Sequence, residues 1–234
     1  IDGGFGPLFH SMANVSSVIY LIGGLFLLYR FLLKYFSDLI TLSVVVLLFL
    51  GTNLFYYGIC DTLMSHVYSF FLFSLFLLSS RSFIDKPSEW RWFVLFTFSS
   101  VLIVLIRPTN IILWLLFFLL DCNGITDIRN RIRLITYWKR LLFFLTVLVL
   151  LLLPQLAYWK YLSGNWISWS YANEGFTNWN RPALIEVWFS TLNGLFVYTP
   201  IFILMMIGIF LMVKKKVSNG WLLLFYFFSI LVKS

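Results

Sequence analysis

The sequence predicts an all-α protein: a polytopic transmembrane helical bundle. Of its 234 residues, 61% are hydrophobic and only 11% are charged, whereas soluble domains carry about 25% charged residues. Several nearly uncharged runs approach the roughly 20 residues that a helix needs to cross a bilayer. Because a soluble protein could not bury so many apolar helices, we expect a membrane protein with about eight membrane helices.

The apolar runs place these helices in chain order, separated by short polar or charged segments. The predicted helices cover residues 15–33, 38–57, 64–80, 91–106, 109–120, 139–162, 196–213 and 220–234. We expect them to form a single transmembrane domain over residues 1–234, a fragment truncated at both ends. Residues 163–195 are expected to form an outer-face loop.

Basic residues predict which connections face the cytoplasm. Most of the 17 Lys and Arg residues form four groups, which follow the first, third, fifth and seventh predicted helices. The groups are Arg30 and Lys34; Arg81, Lys86 and Arg91; Arg129, Arg131, Arg133, Lys139 and Arg140; and Lys214, Lys215 and Lys216. Strict alternation puts all four on one side, which the positive-inside rule makes cytoplasmic. The net charge of +8 therefore reflects topology, and no nucleic-acid partner is expected.

Residues 91–120 allow two interpretations. They could form one kinked helix, because Pro108 is tolerated within membranes. One crossing would however move the basic group at 129–140 outside, so charge parity favours two short helices that meet at "RPTN", Arg107 to Asn110. Pro108 also disfavours helical geometry at Arg107. The second helix is too short to span comfortably, so we expect its start below the outer surface, inside protein or a wet cavity.

Arg107 is the first candidate binding residue. An ionisable group at membrane depth is costly and therefore indicates function. Its guanidinium can hold a phosphate with two parallel hydrogen bonds, and we expect Thr109, Asn110 and the amides of the helix start to add anion affinity. The alternative is an interfacial arginine that extends to lipid headgroups.

Asp61 and His66 lie in the "GICDTLMSHVYSFF" segment. Asp61 is suited to cap the third predicted helix, and either residue could contact a substrate. A metal site needs more ligands than the two His of this chain provide, so no metal is expected. Cys60 and Cys122 are expected at opposite membrane faces, unpaired.

The segment "NWISWSYANEGFTNWNRP", residues 165–182, is rich in polar and aromatic residues, whereas the chain around it is mostly aliphatic and hydrophobic. Its aromatic side chains offer flat apolar faces, several with polar edges, which suit sugar rings. They are Trp166, Trp169, Tyr171, Phe176 and Trp179. Glu174 could bind hydroxyls or assist proton transfer, and Arg181 could bind a phosphate. The alternative is an amphipathic stretch lying in the membrane interface.

Five segments of the sequence, taken together, resemble the GT-C glycosyltransferases. They are "DGGFGPLFH", "GTNLFYYGICDTLMSHVYSFFLFSLFLL", "VLIRPTN", "YANEGFTNWNRP" and "STLNGLFVYTP". The most similar branch is bacterial and related to the dolichyl-phosphate-mannose protein mannosyltransferases, glycosyltransferase family 39, and the likeness covers nearly the whole chain. It implies a many-helix enzyme of the bacterial plasma membrane that moves a sugar from a polyprenyl-phosphate donor to a protein, lipid or glycan acceptor in an outer-face cavity. It implies no cofactor.

The resemblance also implies roles for particular residues. The base is usually a carboxylate in the first outer loop, which we expect before Ile1; Asp61 and Glu174 are the candidates within this sequence. Fixed cations would stabilise the departing lipid phosphate, with Arg107 as the first choice and Arg181 as the second. Contacts to sugar or acceptor are expected from the remaining candidates, Glu174, Asn178 and Trp179, with Asp61 and His66 on the cavity wall.

Other functions fit the composition. A membrane transporter would more often show broken helices at matching positions in two halves, and the sequence shows only the break at RPTN. A lipid flippase or a polysaccharide polymerase is nearer in chemistry. A nucleotide-binding fold is unsupported because no GxGxxG or GKS/GKT motif occurs.

Overall fold

The computed structural model describes residues 6–168, 184–191, 194–217 and 219–231. This part of the chain is all-α and contains no strand. It divides into two compact units, Ile1–Phe117 (unit 1) and Phe118–Ser234 (unit 2). Within these described ranges, three helices are long and apolar enough to cross a membrane: Pro7–Leu32, His66–Asp85 and Trp138–Ser163. These helices indicate a membrane protein.

The described part of unit 1 contains six α-helices and one 3-10 helix. In chain order they are α1 (Pro7–Leu32), α2 (Asp38–Gly51), α3 (Leu54–Ile59), α4 (His66–Asp85), α5 (Trp90–Ile106), the 3-10 helix (Pro108–Leu113) and α6 (Trp114–Leu119), whose last residues pass into unit 2. The first helix starts well before the predicted residue 15, because Pro7 occupies its first turn, where a proline fits without losing a hydrogen bond.

The helix predicted over residues 38–57 is interrupted. Thr52 adopts an extended backbone after Gly51, and its hydroxyl accepts a hydrogen bond from the Leu54 amide at 3.2 Å. A threonine side chain that binds nearby backbone competes with helical hydrogen bonding. The segment therefore forms α2 and the short α3 in place of one helix.

Helices α1 and α4 run parallel and in close contact. Ser16, in the first half of α1, and Tyr68, near the start of α4, share a hydrogen bond of 2.8 Å. Lys34 contacts Asp85 at 3.1 Å just beyond α1 and at the end of α4. A Cβ atom on Gly24 would lie 2.8 Å from the Phe70 ring and 3.1 Å from the Phe71 Cα. Glycine at this position therefore allows the two backbones to approach.

Helix α5 packs antiparallel against α4. The ring centroids of Phe83 and Phe93 are 5.2 Å apart, and those of Phe76 and Phe96 are 5.7 Å apart. Small hydroxyl-bearing residues fill the space around these rings, as is usual where membrane helices pack. The buried ones on α4 and α5 are Ser69, Ser74, Ser79, Ser80, Ser82, Thr97, Ser99 and Ser100.

The chain reverses direction after α5, which confirms the predicted break at RPTN. The Asn110 side-chain amide donates to the Ile103 carbonyl at 3.3 Å, and the Trp114 indole donates to the Ser100 carbonyl at 3.2 Å. Phe117 then stacks near Phe96, with centroids 4.7 Å apart. The returning segment starts as a 3-10 helix and becomes α-helical only at Trp114, whereas one helix was predicted from residue 109.

The ends of α1, α4 and α5 meet in an ionic cluster, here called the charged end. Its members are Lys34, Arg81, Asp85, Lys86, Glu89 and Arg91. Asp85 pairs with Lys34 at 3.1 Å and with Arg81 at 3.2 Å. The hydrogen bond from Arg91 holds the pKa of the Glu89 carboxyl below its ordinary value. Basic residues of the first two predicted groups therefore lie at the same end of unit 1.

Unit 2 contains six helices within its described residues. They are α7 (Ile125–Thr136), α8 (Trp138–Ser163), α9 (Leu184–Phe189), α10 (Leu195–Tyr198), α11 (Ile201–Lys214) and α12 (Gly220–Leu231). The helix predicted over residues 196–213 is divided, because Thr199 leaves helical geometry and Pro200 becomes the N-cap of α11. Helices α7 and α9 were not predicted from the sequence.

A polar joint connects three segments of unit 2. Asp121 lies in a turn with φ of 54°. Its amide donates to the Asn219 side chain at 2.8 Å, and the Asn219 amide group donates back to the Asp121 carboxylate at 2.6 Å. Arg131 of α7, only 4% exposed, donates to the Asp121 carbonyl at 3.3 Å. This joint fastens the residues before α7 to α7 itself and to the start of α12.

Candidate functional site

Three ionisable side chains lie near one another, without direct contact, at the end of unit 1 that lies opposite the charged end. Asp61 belongs to the α3–α4 loop, His66 is the first residue of α4, and Arg107 follows the last residue of α5. Because α4 and α5 are antiparallel, the start of one helix lies beside the end of the other. We call Asp61, His66 and Arg107 the polar triad.

His66 is the centre of the polar triad. Its ring stacks on Tyr57, with centroids 4.2 Å apart and planes at 29°. The charges of Arg107 and Asp61 both act on its imidazole. The structure therefore brings Arg107 near Asp61 and His66, which were selected from the sequence as a pair.

The backbone of Arg107 is held by hydrogen bonds, whereas its side chain can bind a ligand. Its backbone is extended, with φ −147° and ψ 115°, as expected for a residue before proline. Its amide donates to the Ile103 carbonyl at 3.3 Å, and its carbonyl accepts from the Asn110 amide at 2.9 Å. Within the described residues, the partly buried guanidinium forms no hydrogen bond and no ion pair. Asn110 directs its side-chain amide to Ile103.

Asp61 does not cap α4, so that expectation was wrong. The N-cap is Ser65, which makes no side-chain cap bond, because residues 60–65 form a looped turn before the helix begins. The Asp61 amide donates to the Tyr56 carbonyl at 3.0 Å, and the neighbouring Thr62 hydroxyl donates to Asn14 of α1. Among the described side chains, the Asp61 carboxylate has no hydrogen-bond or ion-pair partner.

Further contacts hold the loop that carries Asp61. The Ser17 hydroxyl of α1 donates to the Gly58 carbonyl of α3 at 3.3 Å. A Cβ atom on Gly58 would lie 2.6 Å from the Leu21 side chain, so α3 packs directly on α1. The polar triad therefore projects from a well-packed frame although its side chains remain partly exposed.

The chemistry of the polar triad suits an anionic, hydroxyl-bearing ligand. A guanidinium binds phosphate oxygens with directed, charge-assisted hydrogen bonds. A carboxylate accepts hydrogen bonds from hydroxyls, and an imidazole can donate or accept. No group of three side chains that could hold a metal ion comes together in the described part of the chain.

The remaining predicted site residues lie outside the described residues: Glu174, Asn178, Trp179 and Arg181. Trp166 is the last aromatic residue of that segment that the structure describes. It is 60% exposed, and the Lys160 ammonium lies 5.8 Å from its ring centroid. Cys60 and Cys122 are both free thiols.

Comparison with protein-family models, curated proteins and solved structures finds no match to this chain.

Proposed function

We propose that this protein is a glycosyltransferase with several transmembrane crossings in the bacterial plasma membrane. It transfers a sugar from a polyprenyl-phosphate donor to a hydroxyl of a protein, lipid or glycan acceptor at the outer face. The observation that carries the proposal is the polar triad, in which the Arg107 guanidinium lies near Asp61 and His66 and has no hydrogen-bond or ion-pair partner among the residues that the structure describes. The resemblance to GT-C glycosyltransferases supplies the reaction class.

In this proposal Arg107 binds the phosphate of the donor. The acceptor oxygen attacks the anomeric carbon while the bond from that carbon to the phosphate oxygen breaks. The leaving oxygen keeps the electron pair, so negative charge grows on the lipid phosphate, and a fixed cation stabilises the transition state more than the ground state. The acceptor proton passes to a carboxylate base, for which Asp61 and Glu174 are the candidates in this sequence. Asp61 and His66 contact hydroxyls of the sugar or the acceptor.

Replacing Arg107 tests the proposal. In the full-length protein, reconstituted in vesicles with a labelled polyprenyl-phosphate sugar, Arg107→Ala should lower the transfer rate by at least about 10²-fold, a typical loss for one transition-state donor. Arg107→Lys should be intermediate, because a point charge remains but the two-pronged contact is lost.

The matched control is Arg91→Ala, at the opposite end of α5, where Arg91 pairs with Glu89 at 2.6 Å. It should transfer sugar at the wild-type rate. Normal transfer by Arg107→Ala would remove Arg107 from the site. Lipid movement across the vesicle without any transfer would identify a flippase instead.

Thiol labelling tests the proposed orientation. Cys60 is exposed in the α3–α4 loop and should react with an impermeant reagent from outside the cell. With both native cysteines replaced by Ser, Asn178→Cys should also react from outside and Asn130→Cys only from inside. The reverse pattern would overturn the topology.

A further inference from the structure

A groove of about 520 Å³ opens at the charged end of unit 1. Its floor is apolar and includes Phe26 of α1, Leu75 of α4 and Leu95 of α5. Its rim is polar and includes Arg30, Lys86 and Trp92. The volume lies in the range of small-molecule sites, and the combination of apolar floor and cationic rim suits an amphiphilic ligand.

The charges around the groove favour an anion. The lining contains three basic residues, Arg30, Lys34 and Lys86, against the single carboxylate of Asp85. Asp85 is already shared by Lys34 and Arg81, at 3.1 and 3.2 Å. In the part of the chain that the structure describes, Arg30 forms no ion pair. A negative group at the rim would therefore be bound by an uncompensated guanidinium.

Trp92 provides a second, independent observation. Its indole N–H is buried and has no hydrogen-bond partner in the described structure, although the residue lines the groove. A buried donor without an acceptor is unfavourable. The nitrogen is closed to solvent in this structure, so an oxygen atom of a bound ligand would satisfy it once the side chains that cover it shift.

We propose that this groove binds one anionic phospholipid from the surrounding bilayer. Arg30 holds the headgroup phosphate, the Trp92 N–H donates to a phosphate or ester oxygen, and an acyl chain covers Phe26, Leu75 and Leu95. Phe26 is 56% exposed, so the floor is accessible to a chain from the side. On α4 the groove lining runs from Leu75 to Asp85, roughly 14 to 29 Å along the helix from His66. No member of the polar triad lines the groove, so it does not belong to the proposed sugar-transfer site.

The test measures lipid retention. The chain is purified from vesicles that contain equal amounts of phosphatidylglycerol and phosphatidylcholine, and bound lipids are quantified by native mass spectrometry. The wild type should retain phosphatidylglycerol preferentially. Arg30→Gln should reduce that preference about tenfold, the loss expected for one charge-assisted contact, and Leu75→Trp should reduce total retention by filling the floor. Trp92→Phe, which keeps an aromatic ring but removes the N–H donor, should weaken phosphatidylglycerol retention less than Arg30→Gln.

Two control variants separate the groove from general effects. Arg129→Gln removes an exposed arginine of α7, and Leu47→Trp enlarges a 52%-exposed side chain of α2; neither residue lines the groove. Both should retain lipid as the wild type does. Wild-type retention by Arg30→Gln or Leu75→Trp, an equal loss in either control, or displacement of the lipid by soluble glycerol phosphate would each overturn the proposal.

Discussion

Helices α4 and α8 are both long enough to cross a bilayer, yet they have opposite surroundings. The most apolar window of α8 has a mean hydropathy of 2.4 and is 6% buried, whereas that of α4 has a mean hydropathy of 1.6 and is 56% buried. The more hydrophobic helix is therefore the less buried one. In a soluble protein the reverse is expected.

The difference follows from the solvent. Lipid tails are as apolar as leucine, so apolar side chains gain little by leaving lipid for protein, and close packing between small residues drives association. Helix α4 buries five serines, Ser69, Ser74, Ser79, Ser80 and Ser82. On α8 the Thr146 hydroxyl donates to Leu142 of its own helix at 2.8 Å. Of these two helices, the more hydrophobic one is the more exposed, and the buried one carries the serines.

The largest effect that tests this comparison is expected from Phe83→Ala. Phe83 is fully buried and packs against Phe93, Phe96 and Phe117 at centroid distances of 5.2 to 6.1 Å. Its truncation leaves a cavity and should lower the free energy of unfolding by about 3–5 kcal/mol, measured by denaturant titration in bicelles. Leu150→Ala on α8, where Leu150 is 63% exposed, should change it by no more than about 0.5 kcal/mol. Equal losses would show that α8 is packed like α4.

A smaller effect is expected from Gly24→Leu at the α1–α4 contact. The added side chain would collide with Phe70 and with the backbone at Phe71, so the helices must separate at a cost of about 1–3 kcal/mol. The matched control is Gly208→Leu on α11, where no atom lies within 4 Å of the added Cβ. The midpoint of thermal unfolding, measured for both variants in one detergent, should be lower for Gly24→Leu than for Gly208→Leu. A wild-type midpoint for Gly24→Leu would contradict the parallel contact.

The smallest effect distinguishes two buried serines. The Ser100 hydroxyl donates to the Phe96 carbonyl at 2.6 Å, so Ser100→Ala should cost about 0.6 kcal/mol, an average value for membrane hydrogen bonds. Ser80 has no hydrogen-bond partner within the described residues, so Ser80→Ala should be neutral or slightly stabilising. If Ser80→Ala proved more costly than Ser100→Ala in paired denaturant titrations, the hydroxyl of Ser80 would have a role that the structure does not show.

Much of the fold could be predicted because apolar runs and prolines are local signals. The boundaries of α5 and α8 agree with the predicted helices within one residue, and the break at Arg107 follows from Pro108. The breaks near Thr52 and Thr199 were missed, because threonine interrupts a helix only when its local geometry allows it. Helix α7 was missed although Ile125, Ile128, Ile132 and Ile135 form an amphipathic stripe, because its basic residues were interpreted only as topology determinants.

The site could be predicted only in part. Asp61, His66 and Arg107 were selected for their charge in an apolar chain, and their proximity depends on the antiparallel packing of α4 and α5, which sequence spacing does not reveal. The groove could not be predicted at all, because its lining residues come from helices distant in sequence. The roles of Glu174, Asn178, Trp179 and Arg181 stay predictions.

The polar joint between Asp121 and Asn219 joins positions 98 residues apart. A joint of this kind depends on its two partners and not on the length of chain between them, since lengthening an intervening segment costs little free energy once the ends are fixed. Residues could therefore be added or removed between α8 and α11 while the polar joint between Asp121 and Asn219 is kept. A change of length between α8 and α11 would then alter the surface that binds other molecules and leave the polar joint unchanged.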